Sequence, residues 1–311
     1  MKEKTLTRIG LPRALLYHMY APMWTQFFRS LDCRIVTSPK TNRQILEQGL
    51  RNSIDESCLA VKIYLGHIQY LADKVDYIFI PRYVSLFKEE KMCVKLFALA
   101  DIVRNTFEHV NILELTVDKN KGDREILRFA ELGMKLGHNL IETLRAYRTA
   151  RQRLEAHHHK TLARQMTTLA ENNASTRVML AAHPYLAYDA LMGETVVKLL
   201  EQQGVEVLYS DAVNRDTAYA LSKHLSADVY WTYHKEILGA IEYYRDWLDG
   251  IVFLMAFPCG PDSLVIELCR HRVTDIPILV VVMDELQGDA GLKTRIESFV
   301  DILRFQKGAM L

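Results

Sequence analysis

The sequence predicts an α/β protein of two Rossmann- or flavodoxin-like lobes, each a parallel sheet covered by helices, with a helical connecting segment and a cleft between the lobes. Three observations predict it. Short apolar runs alternate with helix-period segments in the first third of the chain, and the same alternation returns after residue 175. Between the two series, from Lys121 to about Glu171, the chain has no proline and no β-rich run, only strong helix formers. Many apolar runs stop abruptly at proline, histidine, cysteine or acid, as strands of an open sheet do where ligands bind.

Taken in order, TRIGLP is a first short strand and ALLYHMYAPMWTQFFRSL has apolar residues at helical spacing; CRIVTSP is the second strand. NRQILEQGLRNSI is helical by period and begins after Thr41 and Asn42, good helix caps. VDYIFIPR and NILELTV are further strands. The stretch RFAELGMKLGHNLIETLRAYRTARQRLEAHHHKTLARQMTTLAE reads as one or two long helices, which ENNAST interrupts. Five strand candidates follow: TRVMLAAHP, VEVLYSDA, ADVYWTYH, DGIVFLMAFP and IPILVVVMDE. GLKTRIESFVDILRFQ closes the chain as an amphipathic helix. The domains expected are therefore residues 1–120, a helical connector at 121–174, and residues 175–311.

At 311 residues and 49% hydrophobic, the chain can bury a sizeable core. Thirty-nine basic against 38 acidic side chains leave a formal charge of +1, so no global field draws it to nucleic acid or a membrane surface. The basic residues Arg145, Arg148, Arg151 and Arg153 match no nucleic-acid recognition motif and read as a solvated helix face. No apolar run approaches the roughly 20 residues that span a bilayer, and the N-terminus has no apolar signal core, so a cytoplasmic location is expected. His157, His158 and His159 point about 100° apart on a helix and cannot all bind one ion.

Five cysteines, an odd and scattered set, make a poor disulfide framework. Cys33 opens a strand and Cys269 lies on the apolar stripe of a helix; both read as packed small residues. Cys58, Cys93 and Cys259 lie in loops or at element ends, where a thiolate can turn toward a shared point. Their separations match no compact zinc or ferredoxin signature, so spacing leaves metal binding and simple packing both open.

Eight segments add a further indication: IGLPRALLYHMYAPMWTQFF, SPKTNRQILEQG, DESCLAVKIYLGH, DYIFIPRYVS, MCVKLFALAD, AAHPYLAYD, FPCGPDS and GDAGLKTRIESFVDIL. In this order they resemble the acyl-CoA dehydratase activase-related family, allied to the 2-hydroxyacyl-CoA dehydratase and benzoyl-CoA reductase iron–sulfur subunits. The resemblance implies a [4Fe-4S] cluster on the thiolates of Cys58, Cys93 and Cys259, with one iron left open to a substrate. It implies an acyl-CoA or other small-molecule substrate, low-potential electron transfer or reductive, dehydratase-like chemistry, and an ATP-dependent activase as electron donor. A dimer is compatible with this scheme. The related double-cubane proteins use six cysteines, more than the five here.

Other residues are candidates around such a centre. His183 could donate a proton to a substrate or a hydrogen bond to the cluster, or else cap its strand. Lys62, His67 and Lys95 would raise the cluster potential by charge, with a solvated surface as the competing reading. Arg13 and Arg82, each after a strand-ending proline, suit a phosphate or carboxylate, which a structural acid could equally supply. The acidic turn from Asp284 to Gly291 suits a hydrogen bond or cation better than phosphate. Two competing functions remain: a non-catalytic cluster carrier, sensor or scaffold subunit, and a metal-free protein binding a small ligand such as a sugar or nucleotide.

Overall fold

The computed structural model describes residues 6–171, 176–286 and 288–309. The chain divides into two compact units, Met1–His159 and Lys160–Leu311.

In the first unit the elements run β1 (Arg8–Leu11), α1 (Tyr17–Arg29), β2 (Arg34–Thr37), α2 (Arg43–Arg51), α3 (Leu59–Leu71), β3 (Tyr77–Ser85), α4 (Val94–Phe97), α5 (Leu99–Thr106), β4 (Ile112–Asp118), α6 (Glu125–Lys135) and α7 (Leu140–Glu171). The last of these runs past the division between units. All strands are parallel, in the order β2-β1-β3-β4. Parallel pairing needs a crossover between successive strands, which α1 and the pair α2 and α3 supply, and it leaves the central strands buried from both sides. α3 accordingly reads LAVKIYLGHIQYL, apolar around most of its circumference and buried along most of its length.

The second unit continues with β5 (Arg177–Ala181), α8 (Pro184–Ala187), α9 (Gly193–Gln202), β6 (Glu206–Tyr209), α10 (Arg215–Leu225), α11 (Thr232–Tyr244), β7 (Gly250–Ala256), α12 (Gly260–Arg272), β8 (Ile278–Met283) and α13 (Asp289–Ala309). Its sheet is again all-parallel, in the order β6-β5-β7-β8. Its core gathers Met179, Phe253 and Met255 from the strands with Ile241, Tyr244 and Cys269 from the helices.

The two sheets share one strand order, and the equivalence descends to single residues. Arg8 and Arg177 open the first strands, and each backbone N–H donates at 2.7 Å to an aspartate, Asp76 or Asp249, that precedes the third strand. In both units the aspartate's own N–H returns to the arginine carbonyl at 2.9 Å. Ser38 and Ser210 follow the second strands, and their hydroxyls accept from the N–H groups of Arg13 and Ala182 at 2.8 and 3.3 Å. Asn42 and Asn214 then cap α2 and α10 with their side-chain oxygens. Gly66 and Gly239 each occupy the eighth position of the next helix; a Cβ there would lie 1.9 Å from the carbonyl oxygen of Ile45 or Ala218. Only glycine lets α2 and α3, or α10 and α11, pack this closely.

One strand expectation fails. ADVYWTYH, read as a strand from its Val, Tyr and Trp content, contributes no ladder strand; Thr232 instead starts α11. Tight packing of α11 on α10 outweighs the β-propensity of its first residues. The helical stretch between the series is two helices, α6 and α7, and the interruption ENNAST begins with the last residue of α7, its residues 172–175 lying outside the described ones. Gln287, in the acidic turn noted above, also lies outside the described residues. No helix among the described residues is long and apolar enough to cross a membrane.

Candidate functional site

The five cysteines fall into two groups by their place in the fold. Cys58, Cys93 and Cys259 are each partly buried and each is the residue that heads a helix: α3, α4 and α12. Their carbonyls accept the first helical bonds, from Val61 at 2.9 Å, Leu96 at 2.9 Å and Ser263 at 3.1 Å, while none of the side chains makes a capping bond to its helix. A helix start presents unpaired N–H groups and the positive end of the dipole. The four-residue α4 offers least of this. Cys93 and Cys259 are also equivalent in topology, since each heads the helix after the third strand of its unit.

Cys33 and Cys269 are sealed in apolar surroundings. Burial, with Asp32 nearby, pushes the Cys33 thiol up to about 11, and it donates weakly to the Leu31 carbonyl at 3.4 Å. Burial, with Glu242 nearby, pushes Cys269 up to about 12. Both remain thiols at neutral pH and are poor metal ligands.

The charged candidates are placed unevenly. Lys62 and His67 belong to the helix that Cys58 heads, and both are buried. His67 Nε2 lies 3.1 Å from Thr41 Oγ1. Burial, assisted by His18 and Arg13, lowers its pKa to about 3, so it is neutral at physiological pH and supplies no charge. Lys95 lies two residues beyond Cys93 and is half-buried. Arg82, on β3, pairs with Asp101 at 3.3 Å and Glu114 at 3.7 Å. That is the structural carboxylate pairing weighed as its alternative. The Arg13 guanidinium sits over the Tyr17 ring, 5.8 Å from its centre.

His183 has the most specific surroundings. It follows β5 and starts α8, where Ala187 N–H donates to its carbonyl at 2.9 Å. Its Nε2 lies 2.8 Å from Asp262 Oδ1, and His234 Nε2 lies 2.8 Å from the same oxygen. The three residues come from the end of β5, the first turn of α11 and the first turn of α12, all at the carboxyl edge of the sheet. The two imidazoles stand edge to face, 4.7 Å apart at 88°, and Tyr185 stacks on His183 at 4.9 Å. Burial alone would raise the Asp262 pKa, but the two histidines outweigh it and hold the carboxyl well below the usual range. Burial lowers the pKa of His234. His234 and Asp262 carry no sequence signal: the one sits in a stretch that reads as strand, the other three residues past Cys259 in a proline-rich turn.

Residues 8–213 match the model of a family described as "CoA enzyme activase uncharacterised domain". No curated protein matches the chain. A crystal structure of a candidate sugar binding protein from Salmonella typhimurium LT2 is similar at 11% identity and a TM-score of 0.22, over 96% of this chain and 87% of that one.

Proposed function

Because the chain belongs to the CoA enzyme activase uncharacterised domain family, we propose that it is an iron–sulfur protein serving an acyl-CoA enzyme, with one [4Fe-4S] cluster on the thiolates of Cys58, Cys93 and Cys259. The observation that carries this reading is the division of the cysteines: the three proposed ligands are partly buried helix-heading residues, and the other two are sealed thiols with raised pKa values. Thiolates at helix starts suit a cluster because the N–H groups there stabilise anionic sulfur.

When bound, such a cluster supplies one-electron chemistry at low potential, and three protein ligands leave one iron for a substrate or an outside ligand. The residues of this chain then hold and tune it. Lys62 lies on the helix headed by Cys58, and Lys95 next but one to Cys93. The electron donor is an ATP-dependent activase, and the substrate side is an acyl-CoA or another small molecule. A second reading is a non-catalytic carrier, sensor or scaffold subunit. The family description favours it, because it names an activase and not the enzyme that turns over the thioester.

Anaerobic purification and reconstitution with iron and sulfide test the proposal. About four irons and four sulfides per chain, with a broad visible absorption bleached on reduction, are expected. A colourless protein after reconstitution would reject it. Reoxidation of the reduced cluster by added acyl-CoA separates a catalytic component from a carrier.

A further inference from the structure

We propose that His183, His234 and Asp262 form a second metal site, with no cysteine among its ligands, that binds one divalent first-row transition ion of the zinc type through two imidazoles and one carboxylate.

The donor atoms already converge. One atom from each residue lies within 4.8 Å of the others, and both Nε2 atoms stand 2.8 Å from Asp262 Oδ1. A tetrahedral zinc ion with bonds of about 2.0–2.1 Å holds its ligand atoms about 3.3 Å apart, so the nitrogen–oxygen pairs need to open by only about half an ångström. Two imidazoles and a carboxylate are a donor set for zinc or another divalent transition ion, and three protein ligands leave one coordination position open.

The site also lacks a cation. Asp262 is 6% exposed, and among the described residues its ion-pair partners are the two histidines, each 4% exposed. The two histidines favour its ionised form against burial. The first turn of α12 helps by its dipole, a small effect against the cost of burying a carboxylate. Nδ1 of His183 and Nδ1 of His234 are buried without a hydrogen-bond partner. The Nε2 atoms and the carboxylate, not these Nδ1 atoms, would hold the ion.

The first unit shows that the fold does not require these groups. Ala14 follows Arg13 as His183 follows Ala182, both bonded to the equivalent serines. Val61 is the third residue of α3 as His234 is of α11, and Leu96 the third of α4 as Asp262 is of α12. In the first unit these places are apolar and closed, with exposures of 4%, 1% and 4% for Ala14, Val61 and Leu96. Only the second unit replaces all three with metal-binding types.

Titration of the full chain with Co²⁺, read by visible absorption, tests the site. One equivalent should bind with the bands of a four-coordinate nitrogen and oxygen site, lack the near-ultraviolet bands that thiolate ligands give, and be displaced by Zn²⁺. Asp262→Asn and His234→Gln should each weaken binding at least tenfold, whereas Cys58→Ser and Cys93→Ser, which break the proposed cluster, should leave it unchanged. Circular dichroism checks folding, and His183→Gln replaces any variant that fails to fold. Absence of a stoichiometric Co²⁺ complex, binding unaffected by these substitutions, or binding lost with Cys58 and Cys93 would overturn the inference.

Discussion

At the scale of single residues, burial and the partners it leaves within reach together decide which titratable groups carry charge. His67 is the clearest case. Its folded pKa of about 3 lies below the 6.5 of a free imidazole, so the unfolded chain takes up the proton first as the pH falls. The stability that follows is complete above about pH 6.5 and is lost toward pH 3, at up to about 1.4 kcal/mol per pH unit. Urea midpoints of the protein and of His67→Gln should therefore converge between pH 6.5 and 4; a constant gap would show that the fold does not lower the His67 pKa. The sequence separated Cys33 and Cys269 from the other three cysteines, because strand and helix patterning marks a packed thiol. It could not show that His67 is neutral, since that depends on Arg13, His18 and Thr41 arriving from other elements. Nor could it find His234 and Asp262, whose meeting with His183 spans 79 residues of chain.

Between elements, the closest approaches rest on glycines, Gly66 and Gly239 among them. A methyl group at Gly66 would lie 1.9 Å from the Ile45 carbonyl oxygen, and one at Gly239 equally close to that of Ala218. The helix pairs must part to admit it, and Gly66→Ala and Gly239→Ala should each destabilise by roughly 2–3 kcal/mol. Gly260→Ala, at a position with open space around it, serves as the control. A chemical denaturation series reads the difference, and equal midpoints for all three variants would refute the packing argument. Helix starts were legible where capping chemistry was written in the chain, as at Asn42, whose side chain accepts from Ile45 N at 3.0 Å. They were illegible at α11, where Val229, Tyr230 and Trp231 carry strand propensity into a segment that leads to a helix.

For the molecule as a whole, the α/β class followed from alternation of apolar runs with helical periods, which gave one strand too many in the second unit, while the residue-level repeat became legible only through hydrogen bonding. Asp76 and Asp249 hold the first strands of their units by the same pair of bonds, a carboxylate oxygen accepting from the arginine N–H and the aspartate N–H donating to the arginine carbonyl. Asp76→Asn and Asp249→Asn should therefore cost similar amounts, about 1–3 kcal/mol each by thermal or urea unfolding, and a cost confined to one of them would argue against equivalent roles. The sister positions also show where the units diverge: Ala14, Val61 and Leu96 against His183, His234 and Asp262. The central claim concerns the cysteines, and iron content after anaerobic reconstitution of Cys93→Ser beside Cys269→Ser tests it most directly. The expected result is a large loss of iron in the first and near-normal loading in the second; equal loading of the two would contradict the assignment of Cys93 as a cluster ligand.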